Sequence, residues 1–393
     1  MYEHKGYNHA HTRRVVSQNM KQAILSADNN YRALDSFLES AGVRRPLLVC
    51  GSAIRHNQGF REHLDTLESK GIQFIRFSDY EPNPLYESVV RGVKLFKAEG
   101  CDGIIAVGGG SAIDVAKCVK LYSNMDEGAD YLSQKAVPNS LHFLAVPTTA
   151  GTGSEATSFA VIYHNGEKLS VADDSCIPEA VLFDSSFLET LPLYQKKATA
   201  MDALCHSLES FWSVNSNDES RSYSREALGM VLEELDGYLE NNGASNDRML
   251  RAANIAGKAI NISKTTAGHA MCYKLTTLFG IAHGHAAILC NAKLFPWMTE
   301  NLEKCVDPRG KQYLLNIFEE IASCFGCSRA GAVGPELEKI VDRLGFEAPA
   351  ATEEDLKVLV NSVNLQRLKN NPVKPEPEDI EFLYRKIVIN RKE

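Results

Sequence analysis

The sequence has no long apolar run of the kind that crosses a membrane. No stretch reaches the roughly eighteen consecutive apolar residues that a membrane-spanning helix needs. Residues 1–16 contain no apolar segment that resembles a signal peptide. We therefore expect a protein of the cytoplasm that has no membrane partner.

The sequence also has fewer positive than negative side chains, and its cysteines show no regular spacing. The chain has 42 Lys and Arg against 50 Asp and Glu, and its net charge of −8 argues against nucleic acid as a partner. The ten cysteines are scattered, mostly within apolar patterns. Cys324 and Cys327 form a single C-x-x-C, for which redox or metal chemistry is disfavoured. Free, buried thiols fit a reducing cytoplasm.

The chain's 393 residues exceed the usual limit of one hydrophobic core, so we expect two domains. In the first half, short apolar runs alternate with helical patterns, which predicts parallel βαβ units. The predicted strands are residues 46–50, 72–77, 102–107, 141–146 and 180–184. Asn165-Gly166 separates two further strand-like segments, residues 158–163 and 167–171, and predicts a β-hairpin.

Strand patterns end near residue 190. Beyond it, the sequence predicts helices at residues 195–213, 219–240, 247–263, 312–325, 333–343 and 353–363. We therefore predict an α/β domain over residues 1–190, with a mostly parallel sheet plus the hairpin, and an all-α domain over residues 191–393.

Four residues of the second half form a candidate metal site. Asp202 and His206 are four apart, so a helix places both on one face. His269 and His283 are fourteen apart, which on one helix is within roughly 40° of a whole number of turns. Three imidazoles and a carboxylate suit Fe²⁺ or Zn²⁺. A lone D-x-x-x-H also occurs by chance, so the metal interpretation depends on what stands upstream.

Two polar loops upstream each follow a predicted strand. The first is a glycine turn that opens a helix, an arrangement that brings backbone N–H groups against a phosphate. It consists of Gly108, Gly109, Gly110 and Ser111. The second runs from Pro147 to Glu155 and offers four hydroxyls at the carboxyl end of a strand, where open α/β sheets bind ligands. The glycine turn alone is equally typical of a tight turn, but two such loops favour nucleotide binding.

These segments together resemble the iron-containing (group III) alcohol dehydrogenase family. The blocks GGGSAIDVAK, AVPTTAGTGSEAT, MDALCHSLE and GHAMCYKLTTLFGIAHGHA match that family's signatures in the right order. The resemblance extends from about residue 45 to near the C-terminus. It implies an α/β dinucleotide-binding domain, an all-α domain, an active-site cleft between them and, as is common in the family, a homodimer.

The resemblance also implies roles for individual residues. It makes Asp202, His206, His269 and His283 the metal ligands, and the glycine turn the pyrophosphate loop. It further implies nucleotide contacts from a set of polar side chains, namely Asp114, Thr148, Thr149, Thr152 and Lys168. Lys168, on the hairpin, is expected near the ribose and nicotinamide.

The chain departs from the family pattern after its first predicted strand. Members that prefer NAD often carry an aspartate there, which repels a 2′-phosphate, whereas this chain has Gly51 followed by Ser52. The missing carboxylate leaves room for the phosphate, so we expect NADPH to be favoured over NADH.

A second departure concerns proton transfer. Where many members carry a histidine four residues after the first histidine ligand, this chain has Tyr273, whose usual pKa near 10 makes it a poor base at neutral pH. Tyr273 and His285 are therefore both candidate relays. A pocket-lining Tyr273, with water moving the proton, is equally compatible with the sequence.

The stretch around His269 is similar to a subgroup, the phosphonoacetaldehyde reductases. That substrate is anionic, and Lys264 and Lys274 bracket His269 as candidate cations. Two solvated helix lysines are an equal alternative.

The predicted function is a metal-dependent, NAD(P)H-linked alcohol dehydrogenase or aldehyde reductase. Its predicted substrate is a small aldehyde or alcohol. One candidate is phosphonoacetaldehyde, which the enzyme would reduce to 2-hydroxyethylphosphonate. A dehydroquinate synthase-like lyase on the same fold is the alternative enzyme. A non-catalytic metal- or nucleotide-binding protein is a third hypothesis, which the four-ligand set disfavours.

Overall fold

Parallel strands form the centre of the N-terminal half. The computed structural model describes residues 22–27, 30–363 and 368–390, so the N-terminal segment without a signal-peptide pattern lies outside the described residues. In chain order, the elements of this half are β1 (Ala23–Ser26), α1 (Arg32–Ala41), β2 (Pro46–Cys50), α2 (Ala53–His56), α3 (Gln58–Ser69), β3 (Ile75–Phe77), α4 (Tyr86–Ala98), β4 (Gly103–Gly108), α5 (Gly110–Tyr122), β5 (His142–Pro147), β6 (Phe159–His164), β7 (Glu167–Ala172) and β8 (Ala180–Phe183).

Six of these strands make one sheet in the order β1-β8-β5-β4-β2-β3, with every pairing parallel. The central strands are almost entirely apolar because helices cover both faces. In β2, Leu47 packs into the core on one face and Leu48 into the core on the other. The chain leaves β2 for β3 on one side and returns to β4 on the other. The carboxyl ends of β2 and β4 therefore flank a switch point, where such sheets bind ligands.

The predicted α/β architecture is confirmed, with differences in detail. The predicted strand at residues 72–77 is shorter, because Ile72 and Phe74 are buried without joining the ladder. β1 escaped prediction because it is a four-residue edge strand that is largely exposed. β6 and β7 form the predicted antiparallel hairpin, and Asn165 and Gly166 both take the positive φ that its turn needs.

The second half is helical, as predicted. Its elements are α6 (Leu193–Trp212), α7 (Asp218–Leu239), α8 (Gly243–Ser263), α9 (Ala267–Phe279), α10 (His283–Glu300), α11 (Lys311–Cys324), α12 (Val333–Leu344), β9 (Ala350–Ala351), α13 (Glu353–Asn361), α14 (Pro377–Ile387) and β10 (Ile389–Asn390). β9 and β10 pair over two residues only. α6 is buried along most of its length, because α7, α8 and α10 all pack against it.

One geometric expectation was wrong. His269 and His283 do not share a helix, because α9 ends at Phe279 and Gly280 leaves the helix in the left-handed region, at φ 68°. His283 then begins α10. The two histidines meet because two helices meet, not because fourteen residues make whole turns.

Two further findings concern membrane-spanning helices and disulfide bonds. No helix in the described ranges combines the length and apolarity that a bilayer crossing requires. All ten cysteines are free, including Cys324 and Cys327.

Candidate active site

Asp202, His206, His269 and His283 converge at one point between α6, α9 and α10. Asp202 Oδ1 lies 3.8 Å from His206 Nε2, 3.5 Å from His269 Nε2 and 3.8 Å from His283 Nε2. The side chains are buried except for that of His283, which is 35% exposed. His206 stacks on His269, with ring centroids 4.6 Å apart.

This cluster fits a divalent metal ion. Asp202 Oδ1 and His269 Nε2 are buried and have no hydrogen-bond partner within the described part of the chain, although unpaired buried polar atoms are costly. Asp202, His269 and His283 each present an atom within 4.8 Å of the others. A shared cation would satisfy these atoms, and Asp202, His206, His269 and His283 are the residues that would hold it.

Charge within the cluster shifts its pKa values. Burial opposes the charge of Asp202, but the neighbouring His206 and His283 outweigh it and lower the pKa of Asp202 below its ordinary value. Burial lowers the pKa of His283 to about 3. Burial also acts against a charged His269, yet Glu209 and Asp202 prevail and raise its pKa to about 9.

Glu209 is the residue that sequence reasoning missed. It is fully buried, and its Oε1 lies 2.6 Å from His269 Nδ1. A signal was available, because Glu209 follows Asp202 by seven residues, or two helical turns, and therefore lies on the same face of α6.

The hairpin reaches the cluster through Lys168. Its ammonium lies 3.2 Å from the centroid of the Tyr273 ring, and Tyr273 stacks on His283 with centroids 5.4 Å apart. Lys168 also contributes to the lowered pKa of His283. The Lys168 ammonium and the Tyr273 ring therefore lie beside His283, the most exposed of the four candidate ligands.

The structure separates His285 from this group. Residues two apart on a helix point about 200° apart, and the His285 ring stacks on Phe346 at 4.3 Å between centroids. The Tyr194 hydroxyl lies 3.0 Å from His285 Nδ1 and accepts a hydrogen bond from the Ala282 N–H. Of the two predicted relays, only Tyr273 is brought against the histidine ligands.

Lys264 and Lys274 are not brought to the cluster either. Lys264 directly follows α8, and its ammonium donates to the Asn261 carbonyl at 2.7 Å and lies 5.0 Å from the Phe159 ring. Lys274 follows Tyr273 by one residue and so points about 100° away from it on α9.

The two polar loops meet at the carboxyl ends of β4 and β5, next to the switch point of the sheet. A β-carbon at Gly109 would stand 3.1 Å from Thr149 Oγ1, and one at Gly110 would stand 3.0 Å from the Thr152 side chain. Thr148 N–H donates to the carbonyl of Gly108 at 3.0 Å. The glycines thus let the second loop lie directly against the start of α5.

Other predicted nucleotide residues surround this point. Ser111 Oγ accepts a hydrogen bond from Asn83 N–H at 3.4 Å. Gly51 and Ser52 follow β2 directly. Asp114 accepts hydrogen bonds from Ser154 Oγ at 2.5 Å and Val161 N–H at 2.9 Å, so its contacts support the loop and the hairpin.

The nucleotide loops and the metal cluster are adjacent. Gly151, in the middle of the second loop, packs so closely on α6 that a β-carbon there would stand 2.8 Å from Thr199. Thr199 precedes Asp202 by three residues. A ligand lying along the glycine turn would therefore extend toward the four-residue cluster.

The chain matches known protein families along most of its length. Residues 22–185 match the family model described as iron-containing alcohol dehydrogenase, and residues 196–388 match the one described as Fe-containing alcohol dehydrogenase family, C-terminal. Phosphonoacetaldehyde reductase of Streptomyces viridochromogenes is 30% identical over 312 residues, which cover 75% of this chain and 78% of that protein.

Two further comparisons differ in extent. Aldehyde-alcohol dehydrogenase 2 of Entamoeba histolytica is 33% identical over 244 residues, which cover 58% of this chain but 28% of that longer protein. The crystal structure of sulfoacetaldehyde reductase from Bifidobacterium kashiwanohense in complex with NAD+ superposes with a TM-score of 0.82. Its identity is 25%, with 93% of this chain and 96% of that chain covered. These relatives are oxidoreductases, which favours that class over the dehydroquinate synthase-like lyase.

Proposed function

Because this chain belongs to the iron-containing alcohol dehydrogenase family, we propose that it is a metal-dependent, nicotinamide-linked aldehyde reductase. The observation that carries the proposal is the meeting of Asp202, His206, His269 and His283 beside the nucleotide loops. Bound there, the metal would supply Lewis-acid activation of the substrate oxygen and the nicotinamide would supply hydride.

The protein's own contribution is placement. The glycine turn and the N-terminus of α5 offer backbone N–H groups to a pyrophosphate, and Thr149 and Thr152 lie against that turn. Tyr273 covers His283 and presents a hydroxyl near the cluster, so we propose it, rather than His285, as the side chain that relays the proton.

We further propose that the substrate is a short anionic aldehyde. Two relatives are named for phosphonoacetaldehyde and sulfoacetaldehyde, both small aldehydes with an acidic group. Lys168 lies beside the cluster, where a cation could pair with such a group. It replaces Lys264 and Lys274 as the proposed substrate cation.

For the cofactor, we propose NADPH over NADH. No carboxylate follows β2. The space around Gly51 is open, because the atom nearest to an added β-carbon would be Tyr80 Oη at 3.4 Å. Burial raises the pKa of Cys50, the last residue of β2, and the charges of Arg76 and Arg55 offset part of that rise. Both guanidinium groups therefore lie near the end of β2. Arg76 is paired with Glu68, whereas Arg55 has no acidic partner in the described ranges and is available for a 2′-phosphate.

The test is oxidation of NADPH and NADH by Fe²⁺- and Zn²⁺-loaded protein. The aldehydes are phosphonoacetaldehyde, sulfoacetaldehyde, acetaldehyde and butanal. We expect turnover with NADPH and higher kcat/KM for the two anionic aldehydes. No oxidation with any aldehyde would refute the reductase, and a preference for butanal would refute the anionic substrate.

Lys168→Met and Lys168→Arg form a matched pair for the substrate proposal. Because Lys168 is also expected near the nicotinamide, the informative quantity is the ratio of kcat/KM for phosphonoacetaldehyde to that for acetaldehyde. We expect the ratio to fall at least about tenfold in Lys168→Met and to be largely kept in Lys168→Arg. An equal loss for both aldehydes in Lys168→Met would assign Lys168 to the cofactor alone.

The homodimer remains a prediction, which light scattering of the purified protein checks.

A further inference from the structure

Glu209 is a fully buried carboxylate that accepts five hydrogen bonds. The donors to Oε2 are Thr266 N–H at 2.6 Å, Thr266 Oγ1 at 2.8 Å and His269 N–H at 3.3 Å, and those to Oε1 are His269 Nδ1 at 2.6 Å and Asn291 Nδ2 at 2.9 Å. A buried charge is tolerated only when it is paired and hydrogen-bonded to this extent.

These bonds join three helices at the metal cluster. Glu209 belongs to α6, Thr266 and His269 stand at the start of α9, and Asn291 lies on α10. Because Glu209 and Asp202 share a face of α6, the His269 ring lies between two carboxylates. Its Nδ1 is 2.6 Å from Glu209 Oε1 and its Nε2 is 3.5 Å from Asp202 Oδ1.

This arrangement decides which nitrogen of His269 carries the proton. Glu209 can only accept a hydrogen bond, so Nδ1 must donate, and a bound metal ion would be coordinated by the lone pair of Nε2 on the side that faces Asp202. A histidine that donates one ring N–H to a carboxylate is a better ligand through the other nitrogen. Two buried carboxylates also carry two negative charges, which one divalent cation balances.

We propose that Glu209 is a positioning residue for the metal: through His269 it fixes the tautomer of one ligand and adds the second negative charge. The proposal rests on the metal site of the proposed function. It concerns affinity for the ion and not turnover, so it holds even if the protein reduces none of the aldehydes above.

The competing explanation is purely structural. Thr266 is the residue before α9 and makes no side-chain capping bond, so Glu209, by accepting from Thr266 N–H and His269 N–H, also caps that helix. A test must therefore separate loss of the bond to the His269 ring from loss of the structural bonds made by the Thr266 side chain.

Glu209→Gln and Thr266→Val make that separation. Gln has one acceptor oxygen, so it cannot serve both the His269 ring and the Thr266 backbone. Thr266→Val removes the hydroxyl bonds to Glu209 and Trp212 but keeps the contact between Glu209 and His269. Zn²⁺ affinity is measured by competition with a chromophoric chelator, and the absorption spectrum of the Co²⁺-loaded protein reports the coordination. Thermal unfolding without metal shows that each variant is folded.

We expect Zn²⁺ affinity to fall about 10–100-fold in Glu209→Gln, with an altered Co²⁺ spectrum, and to stay within about threefold in Thr266→Val. Wild-type affinity in Glu209→Gln, or an equal loss in Thr266→Val, would overturn the proposal. Should Glu209→Gln not fold, Glu209→Asp withdraws the carboxylate by one methylene. We expect the same tenfold or greater loss there, and unchanged affinity would overturn the proposal. Absence of Zn²⁺ binding by the wild type would instead refute the metal site itself.

Discussion

Gly268 is a position at which a single added methyl group should disturb the metal cluster through Glu209. It stands in the first turn of α9, one residue before His269. A β-carbon there would lie 2.4 Å from Asn291 Oδ1 and 2.5 Å from both Asn291 Nδ2 and Glu209 Oε1. These contacts are about 1 Å shorter than van der Waals distance, so Gly268→Ala must displace the carboxylate that holds the His269 ring.

Two effects of opposite sign compete in Gly268→Ala. Replacing a helical glycine with alanine stabilises a helix by about 0.5–1 kcal/mol. Overpacking costs about 1–3 kcal/mol, and loss of one hydrogen bond to the buried carboxylate costs about 1.5–3 kcal/mol more. The destabilising terms exceed the gain, and we expect the free energy of unfolding to fall by about 2–5 kcal/mol.

Gly229→Ala is the matched control. Gly229 lies inside α7, and a β-carbon there would meet no atom within 4 Å. Thermal unfolding of the metal-free proteins, followed by circular dichroism, should show Gly229→Ala melting about 1 °C above wild type. Gly268→Ala should melt roughly 2–6 °C below wild type and bind Zn²⁺ more weakly. If Gly268→Ala melted at or above the wild-type temperature with wild-type affinity, the packing argument would fail.

Three further predictions address the cofactor, the metal and pH. Gly51→Asp should lower the preference for NADPH over NADH at least about tenfold, because a carboxylate repels the 2′-phosphate; an unchanged ratio of kcat/KM values would contradict this. Asp202→Asn keeps the shape but removes the anionic ligand, so metal content after gel filtration should fall below about a tenth of the wild-type value, and full occupancy would argue against the site. Burial lowers the pKa of Lys196 to about 8, so between about pH 8 and 10 this residue binds more protons in the unfolded chain than in the folded one and contributes a rise of stability with pH. In urea unfolding, the free energy of the wild type should therefore rise more, or fall less, over this pH range than that of Lys196→Met; equal slopes would contradict this.

Local sequence carried enough information for much of the architecture. The apolar runs of β2, β4 and β5 predict a covered parallel sheet because each strand is buried on both faces. Asn165-Gly166 predicts the hairpin because those residues tolerate the positive φ of its turn. Asp202 and His206 fall on one face of α6 because their spacing matches a helical turn.

Other features depended on contacts between distant segments. β1 becomes a strand only by pairing with β8, more than 150 residues away, and its own sequence carries no strand pattern. The fourteen-residue spacing of His269 and His283 suggested one helix, but Gly280 separates two.

The sequence by itself determined which residues are chemically able to bind a metal and a nucleotide, because ligand types, glycines and helical periodicity are local properties. Only the tertiary structure decided that Glu209 accepts a hydrogen bond from the His269 ring and that the Lys168 ammonium lies over the Tyr273 ring. It also decided that Lys264, Lys274 and His285 point away from the metal cluster. The physical reason is that side-chain direction follows from how α6, α9, α10 and the hairpin pack together. That packing is set by the summed burial of many residues and not by the spacing within any one segment.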